Sequence, residues 1–183
     1  TTSRGLEQWF DQPYNSLDTP DGIYEYGNII WAKYLSETYG TAIIRNIWDQ
    51  IGSGLPAVNA ISDELSSQGT SLDAAIIDFR KKTLEREFVD GSYYPLVYHV
   101  AAYTSYPQTI TGTMNHLAAA YYAFKASDTA QSLTLTFSNM NTGIFAVRLI
   151  LNKTSGGYDM QDVTLDSSST SAAINSFGAS STY

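Results

Sequence analysis

Charge is distributed very unevenly along this chain. Of its 28 charged side chains, 21 fall in residues 1–90 and only seven in residues 91–183. From Ser127 onward, 19 of 57 residues are Ser or Thr. Helices with one solvated face accommodate many charges, whereas uncharged polar residues rich in Thr suit pleated, half-buried strands. The shift therefore predicts an α+β protein with a helical segment over residues 1–90 and an antiparallel β-sandwich over residues 91–183.

The apolar period supports that division. In the first part it is helical. Ile23, Gly27, Ile30, Tyr34 and Leu35 form one stripe, flanked by Tyr24 and Trp31, with Glu25, Asn28, Lys33, Ser36 and Glu37 opposite. Asp18-Thr19-Pro20-Asp21 offers N-cap candidates and Gly40 a stop. A second helix follows Thr41, with Ile43, Ile44, Ile47, Trp48 and Ile51 on its buried face. "GSGLP" breaks the chain before a third helix over Pro56 to Ser67. A fourth spans Ser71 to Phe88, with Leu72, Ala75, Ile76, Phe79, Leu84 and Phe88 inward. Such short connections join antiparallel neighbours.

Beyond Asp90 the period becomes two. "PLVYHVAAY", "AAAYYAFKA", "SLTLTFS", "IFAVRLILN", "YDMQDVTLD" and "TSAAINSF" read as strands. Between them stand turn-forming residues at Asp90-Gly91, Ser127-Asp128, Asn139 to Gly143, Gly156-Gly157 and Ser167 to Ser169. Strands at roughly 10 to 14 residue spacing are the pattern of a sandwich.

Composition narrows the function. A net charge of −8 and a pI near 4.5 disfavour nucleic acid and anionic membranes as partners. No apolar run approaches the ~18 residues of a membrane span. Without cysteine there are no disulfides, thiolate metal sites or cysteine nucleophiles. His99 and His116 are the sole histidines and neither has an acid at ligand spacing, so no zinc site is read in this chain. No Gly-x-Ser-x-Gly elbow is present, and "GSGLP" lacks the Lys of a phosphate loop. Asp63-Glu64, Glu85/Glu87 and Asp159/Asp162 read as solvated acids rather than a catalytic pair, and calcium at Asp159, Asp162 and Asp166 fits no known loop spacing. Asn152-Lys153-Thr154 forms a glycosylation triplet.

"YEYGNIIWAKYLSETYG", "AIIRNIWDQI" and "ISDELSSQGTSLDAAIIDF", followed by the strand run, resemble the C-terminal part of a family of secreted zincin-type zinc metalloproteases. The resemblance covers Trp9 to Phe177 and rests on pattern and order. It implies a helical wall of a peptide cleft leading into a β-sandwich. The family's zinc ligands, on a His-Glu-x-x-His helix and a downstream Glu, would lie in an upstream catalytic segment of the same protein, so zinc is expected only there. Neither Glu7 nor Glu25 matches a ligand position. "YEYG" is similar to the Tyr-Glu-Lys-Gly of related zinc aminopeptidases, which implies oxyanion stabilisation by Tyr24. Such a donor is worth on the order of 10² to 10³ in rate. Tyr26 stands where those enzymes carry the Lys.

Two expectations follow. In the first, the chain is the C-terminal region of a secreted metalloprotease-like protein and is inactive alone. The Thr1-Thr2-Ser3 start and the ending "INSFGASSTY" read as those of a processed piece. In the second, it is a non-enzymatic extracellular or cell-surface module with a glycan or protein partner. Tyr93, Tyr94, Tyr103 and Tyr106 are then the binding candidates, since tyrosine presents an apolar ring with a polar tip.

Overall fold

The computed structural model describes residues 2–126, 131–138, 145–153, 155–165 and 169–178. The chain forms two compact units, one of residues 1–100 with 110–121 and one of residues 101–109 with 122–183. The observed division thus differs from the expected one at residue 90. Residues 110–121 return to the helices: the Asn115 side chain donates to the Tyr14 carbonyl (3.0 Å), the Ser16 hydroxyl to the His116 carbonyl (2.6 Å) and the Ala119 N–H to the Pro13 carbonyl (2.9 Å).

The helical unit contains α1 (Thr2–Asp11), the single turn α2 (Tyr24–Gly27), α3 (Ile29–Tyr39), α4 (Ala42–Gly52), α5 (Ala57–Ser67) and α6 (Leu72–Glu85). Helix α1 was not foreseen. It buries Trp9 and Phe10, and its Gly5 meets Gly27 of α2. A Cβ on Gly27 would stand 2.4 Å from the Gly5 carbonyl oxygen and 2.5 Å from the Trp9 Cβ, so only glycine permits this crossing.

The expected helix from residue 23 is broken at Asn28. Its side chain donates to the Leu17 carbonyl and accepts from the Trp9 indole at 3.0 Å. The break turns Tyr24 inward and leaves Ile23 exposed. Asp21 caps the start, accepting from the N–H groups of Tyr24 (2.6 Å) and Ile23 (2.9 Å), while Glu25 accepts from Gly22 (2.9 Å). These N–H donors hold the Asp21 carboxyl below its usual pKa. Ser71 caps α6 through the Ala74 N–H at 3.2 Å; Thr41 makes no such bond to α4.

Aromatic rings dominate this core. Phe79 lies 5.0 Å from Trp31, 5.3 Å from Tyr34 and 5.4 Å from Trp9, measured between ring centres. Ile43 and Ile47 are buried on α4, but Trp48 is 66% exposed, against the expectation that it faces inward. The α4 stripe runs along 43 and 47, and position 48 lies about 100° around the helix from 47.

Among the described residues the second unit consists of small two-stranded sheets. β1 (Ala101–Tyr103) pairs in parallel with β2 (Tyr122–Phe124). β3 (Gln131–Ser138) pairs antiparallel with β6 (Ser169–Phe177), and β4 (Val147–Asn152) with β5 (Tyr158–Val163). The β1–β2 ladder departs from the antiparallel expectation. The stretch before Ala101 stays out of any ladder because its N–H groups go elsewhere: Tyr98 donates to the Phe10 carbonyl (2.9 Å) and Val100 to that of Tyr121 (2.8 Å).

The alternation read in the strands is realised in β3 and β6, whereas β4 is half-buried along most of its length. Leu133 opposes Ile174 and Leu135 opposes Ala172, with Leu133, Ala172 and Ile174 buried and Thr134 exposed. Gly156 and Gly157 turn the β4–β5 hairpin at φ of 91° and 76°, a left-handed backbone that suits glycine. The turns at Ser127-Asp128 and Asn139 to Gly143, most of Ser167 to Ser169, and Thr154 and Asp166 lie outside the described residues.

Candidate functional site

A cleft of about 260 Å³ opens in the helical unit. Helix α3 contributes Trp31, α5 contributes Ala57, Val58 and Ile61, and α6 contributes Leu72 and Ile76. Leu17, Asp18, Asn28 and Leu117 complete the wall, so its only polar side chains besides the indole are Asp18 and Asn28. The arrangement follows from helical spacing. Ala57 and Val58 stand four and three residues before Ile61, and Leu72 four before Ile76, so each shares a face with its partner. Asn28 lies at the break between α2 and α3, its side chain already bonded to Trp9 and Leu17.

Two details mark this cleft. Trp31 has its indole nitrogen buried without a hydrogen-bond partner, a condition that ordinarily costs about 1–3 kcal/mol. Leu117 holds φ of 54°, a backbone region that residues with a Cβ seldom occupy. Such strain persists only where the surroundings impose it. Here Arg80 does so, donating from Nη2 to the Leu117 carbonyl at 2.6 Å.

Arg80 is itself unusual. Only 6% of it is exposed, its guanidinium sits 4.9 Å over the Trp9 ring and 5.6 Å from that of Phe79, and Nε and Nη1 have no partner. No ion pair to Arg80 occurs among the described residues. Two phenols adjoin it. The Tyr121 hydroxyl donates to the Arg80 carbonyl at 2.8 Å, and Tyr24 lies beside the guanidinium. Burial pushes the Tyr121 phenol up to about 12 and raises that of Tyr24, with the Arg80 charge opposing both shifts.

Tyr24, the residue marked by resemblance as an oxyanion donor, is therefore fully buried, its hydroxyl 3.4 Å from the Asn15 carbonyl. It does not line the cleft. Of the binding candidates, Tyr93 is 88% exposed on a 3₁₀ turn, whereas Tyr94 packs on Phe10 and Phe88. The Tyr94 phenol is raised, by burial first and by its bond to Asp90 second. In the strand unit Tyr103 stacks on Phe124 at 5.7 Å, and the Tyr106 hydroxyl donates to the Tyr103 and Lys125 carbonyls at 3.0 and 2.9 Å. Tyr93 and Tyr94 belong to the helical unit, Tyr103 and Tyr106 to the strand unit.

Four of the acids considered from sequence have partners in the structure. Glu64 is buried and accepts from Asn46 (2.7 Å) and Gln50 (3.3 Å) of α4. Glu87 pairs with Lys81, Asp159 with Lys153, and Asp162 with Arg148 at 2.6 Å. Both histidines are exposed; the His99 Nδ1 meets the Val97 carbonyl at 3.1 Å. Among the described residues no three His, Cys, Asp or Glu side chains gather as a metal site.

Arg80 and Leu117 were not singled out from the sequence. The signal for Arg80 was its place four residues after Ile76 and four before Leu84, on the apolar stripe of α6. Nothing in the sequence tied Leu117 to a residue 37 positions away. No protein-family model, curated protein or solved structure matches this chain.

Proposed function

We propose that this chain is a non-catalytic, extracellular binding module whose helical unit takes a small apolar group into the cleft between α3, α5 and α6. The observation that carries this reading is the cleft wall, which is apolar apart from Asp18, Asn28 and the Trp31 indole and is built on three helices. A dry apolar cavity of roughly 150 Å³ accommodates benzene, whereas drug-sized ligands fill roughly 300–1,000 Å³. At about 260 Å³ the cleft suits one ring or a short hydrocarbon chain.

In this reading the strand unit forms an antiparallel β-sandwich that supports attachment or partner binding. The antiparallel pairing of β3 with β6 and of β4 with β5, and the alternating faces of the first ladder, favour it. Val89, Tyr93 and Leu96, all largely exposed after α6, are the surface offered to a protein or glycan partner.

Ile61→Trp tests the cleft. The larger ring fills the space and is expected to abolish the change in tryptophan fluorescence that 1-octanol produces in the unmodified protein. An unmodified protein that gives no response to 1-octanol, or an Ile61→Trp variant that binds it unchanged, overturns the reading.

The resemblance of residues 9–177 to the C-terminal part of a secreted zinc metalloprotease family motivates a second reading. There the helical unit is a wall of a peptide cleft completed by an upstream zinc-bearing segment, with Tyr24 as the oxyanion donor. The chain alone should then hydrolyse no peptide when supplied with zinc, and turnover with stoichiometric metal would sink this reading.

A further inference from the structure

We infer that the ligand of the cleft is a small apolar acid, with its hydrocarbon part against Trp31, Ile61 and Ile76 and its anionic end paired with Arg80. This rests on the cleft being a binding site and goes beyond it by naming the chemical class of ligand.

The inference starts from a charge without a counter-ion. A guanidinium carries five N–H donors and remains ionised in proteins. Removing it from water is costly unless an anion and a full set of acceptors replace the solvent. Arg80 has the Leu117 carbonyl on Nη2 and the Trp9 face beneath it, but Nε and Nη1 remain unpartnered. Nε and Nη1 lie on opposite sides of the guanidinium, so a bidentate carboxylate uses one of them together with Nη2, the nitrogen that holds the Leu117 carbonyl. Tyr24 and Tyr121 lie close to the same group, but their hydroxyls donate to the Asn15 and Arg80 carbonyls at 3.4 and 2.8 Å, which leaves the guanidinium as the donor for an anion.

Arg80 also adjoins the cleft by two short routes. One passes through the Leu117 carbonyl at 2.6 Å, from a residue that lines the cleft. The other runs through Trp9, which carries the guanidinium on its face and donates to Asn28 of the cleft wall at 3.0 Å. Leu117, held at φ of 54°, separates the cation from the cleft. An acid that pairs with Arg80 takes over the bond that maintains this strained backbone, so binding and relaxation of Leu117 favour each other.

Asp18 acts in the opposite sense. It is exposed on the cleft wall, where it disfavours an anionic group. The net charge of −8 likewise repels anions at long range. A cleft without an anchoring cation should therefore bind an acid more weakly than the matching alcohol, which fixes the sign of the test.

Sodium octanoate and 1-octanol, titrated at neutral pH below their aggregation limits with tryptophan fluorescence as readout, compare the two head groups on one chain. Octanoate is expected to bind about tenfold or more tightly than octanol. Arg80→Gln should remove that preference, read as the ratio of octanoate to octanol affinity in the same variant. Leu117→Gly, which permits the positive φ and clears the path to Arg80, should increase the preference. Circular dichroism reports whether Arg80→Gln folds; if it does not, the unmodified protein and Leu117→Gly decide the matter. Octanol binding without an octanoate preference leaves the apolar cleft standing and overturns this inference. An octanoate preference that survives in folded Arg80→Gln overturns it also. Loss of binding to both probes in the unmodified protein overturns the cleft reading itself.

Discussion

The two units show two ways of burying apolar surface. In the helical unit α1, α3 and α6 bring Trp9, Trp31, Tyr34 and Phe79 into one aromatic cluster in which each ring is at least 93% buried. Among the described residues of the strand unit only Leu133, Val163, Ala172 and Ile174 are buried. A helix presents a continuous stripe from which large rings interdigitate with two or three neighbours. A two-stranded ladder covers one face at most and is marginal alone. The deeper core also tolerates more irregularity, since it holds a buried guanidinium, an unpartnered indole and a strained Leu117.

The largest effect should come from the centre of the aromatic cluster. Phe79→Ala removes a ring that touches three others and should cost about 3–5 kcal/mol in urea unfolding. Ile174→Ala in β6 tests the other side of the comparison. With Ile174 6% exposed against one cross-strand partner, its cost should fall near the lower end, about 2 kcal/mol. Equal losses for the two variants would break the contrast between the units.

Gly27→Ala probes the close approach that lets α1 join the helical core. A methyl group there must displace the Gly5 backbone and Trp9, at about 1–3 kcal/mol, measurable as a lower thermal midpoint. Ser71→Ala, which removes only the α6 cap, should cost about 1 kcal/mol in the same assay.

The smallest effect concerns pH. Asp162 is held below its usual pKa by its bond to Arg148, yet its side chain is 70% exposed. A depressed folded-state pKa stabilises above the unfolded value of about 3.9, and that contribution disappears as pH falls through the lower folded value. Solvent screening limits it to no more than about 0.5 kcal/mol. Asp90 in the helical unit is depressed in the same sense, by the Tyr94 hydroxyl and then by Lys33. The fall in urea midpoint from pH 7 to pH 3 should therefore be reduced less by Asp162→Asn than by Asp90→Asn, and the reverse order would contradict the firmer anchoring of the helical unit.

Much of the architecture was legible because it is local. Helices α4, α5 and α6 follow from the apolar period, the Gly156-Gly157 turn from two adjacent glycines, and the faces of β3 and β6 from alternation. Helix α1 escaped notice because Gly5 interrupts a short segment with only Leu6, Trp9 and Phe10 to mark its face. The break at Asn28 was hidden for a related reason: its cause is a side chain bonded to residues 11 and 19 positions away.

Sequence alone pointed to a charged helical part followed by a sparsely charged, strand-rich part, because charge and period are properties of neighbouring residues. Tertiary structure alone decided that Tyr24 is sealed from solvent, that residues 110–121 belong to the helical unit, and that Arg80 supports Leu117 beside an apolar cleft. Those outcomes depend on contacts between distant positions, whose strength is set by burial and by the partners that folding brings within hydrogen-bond reach.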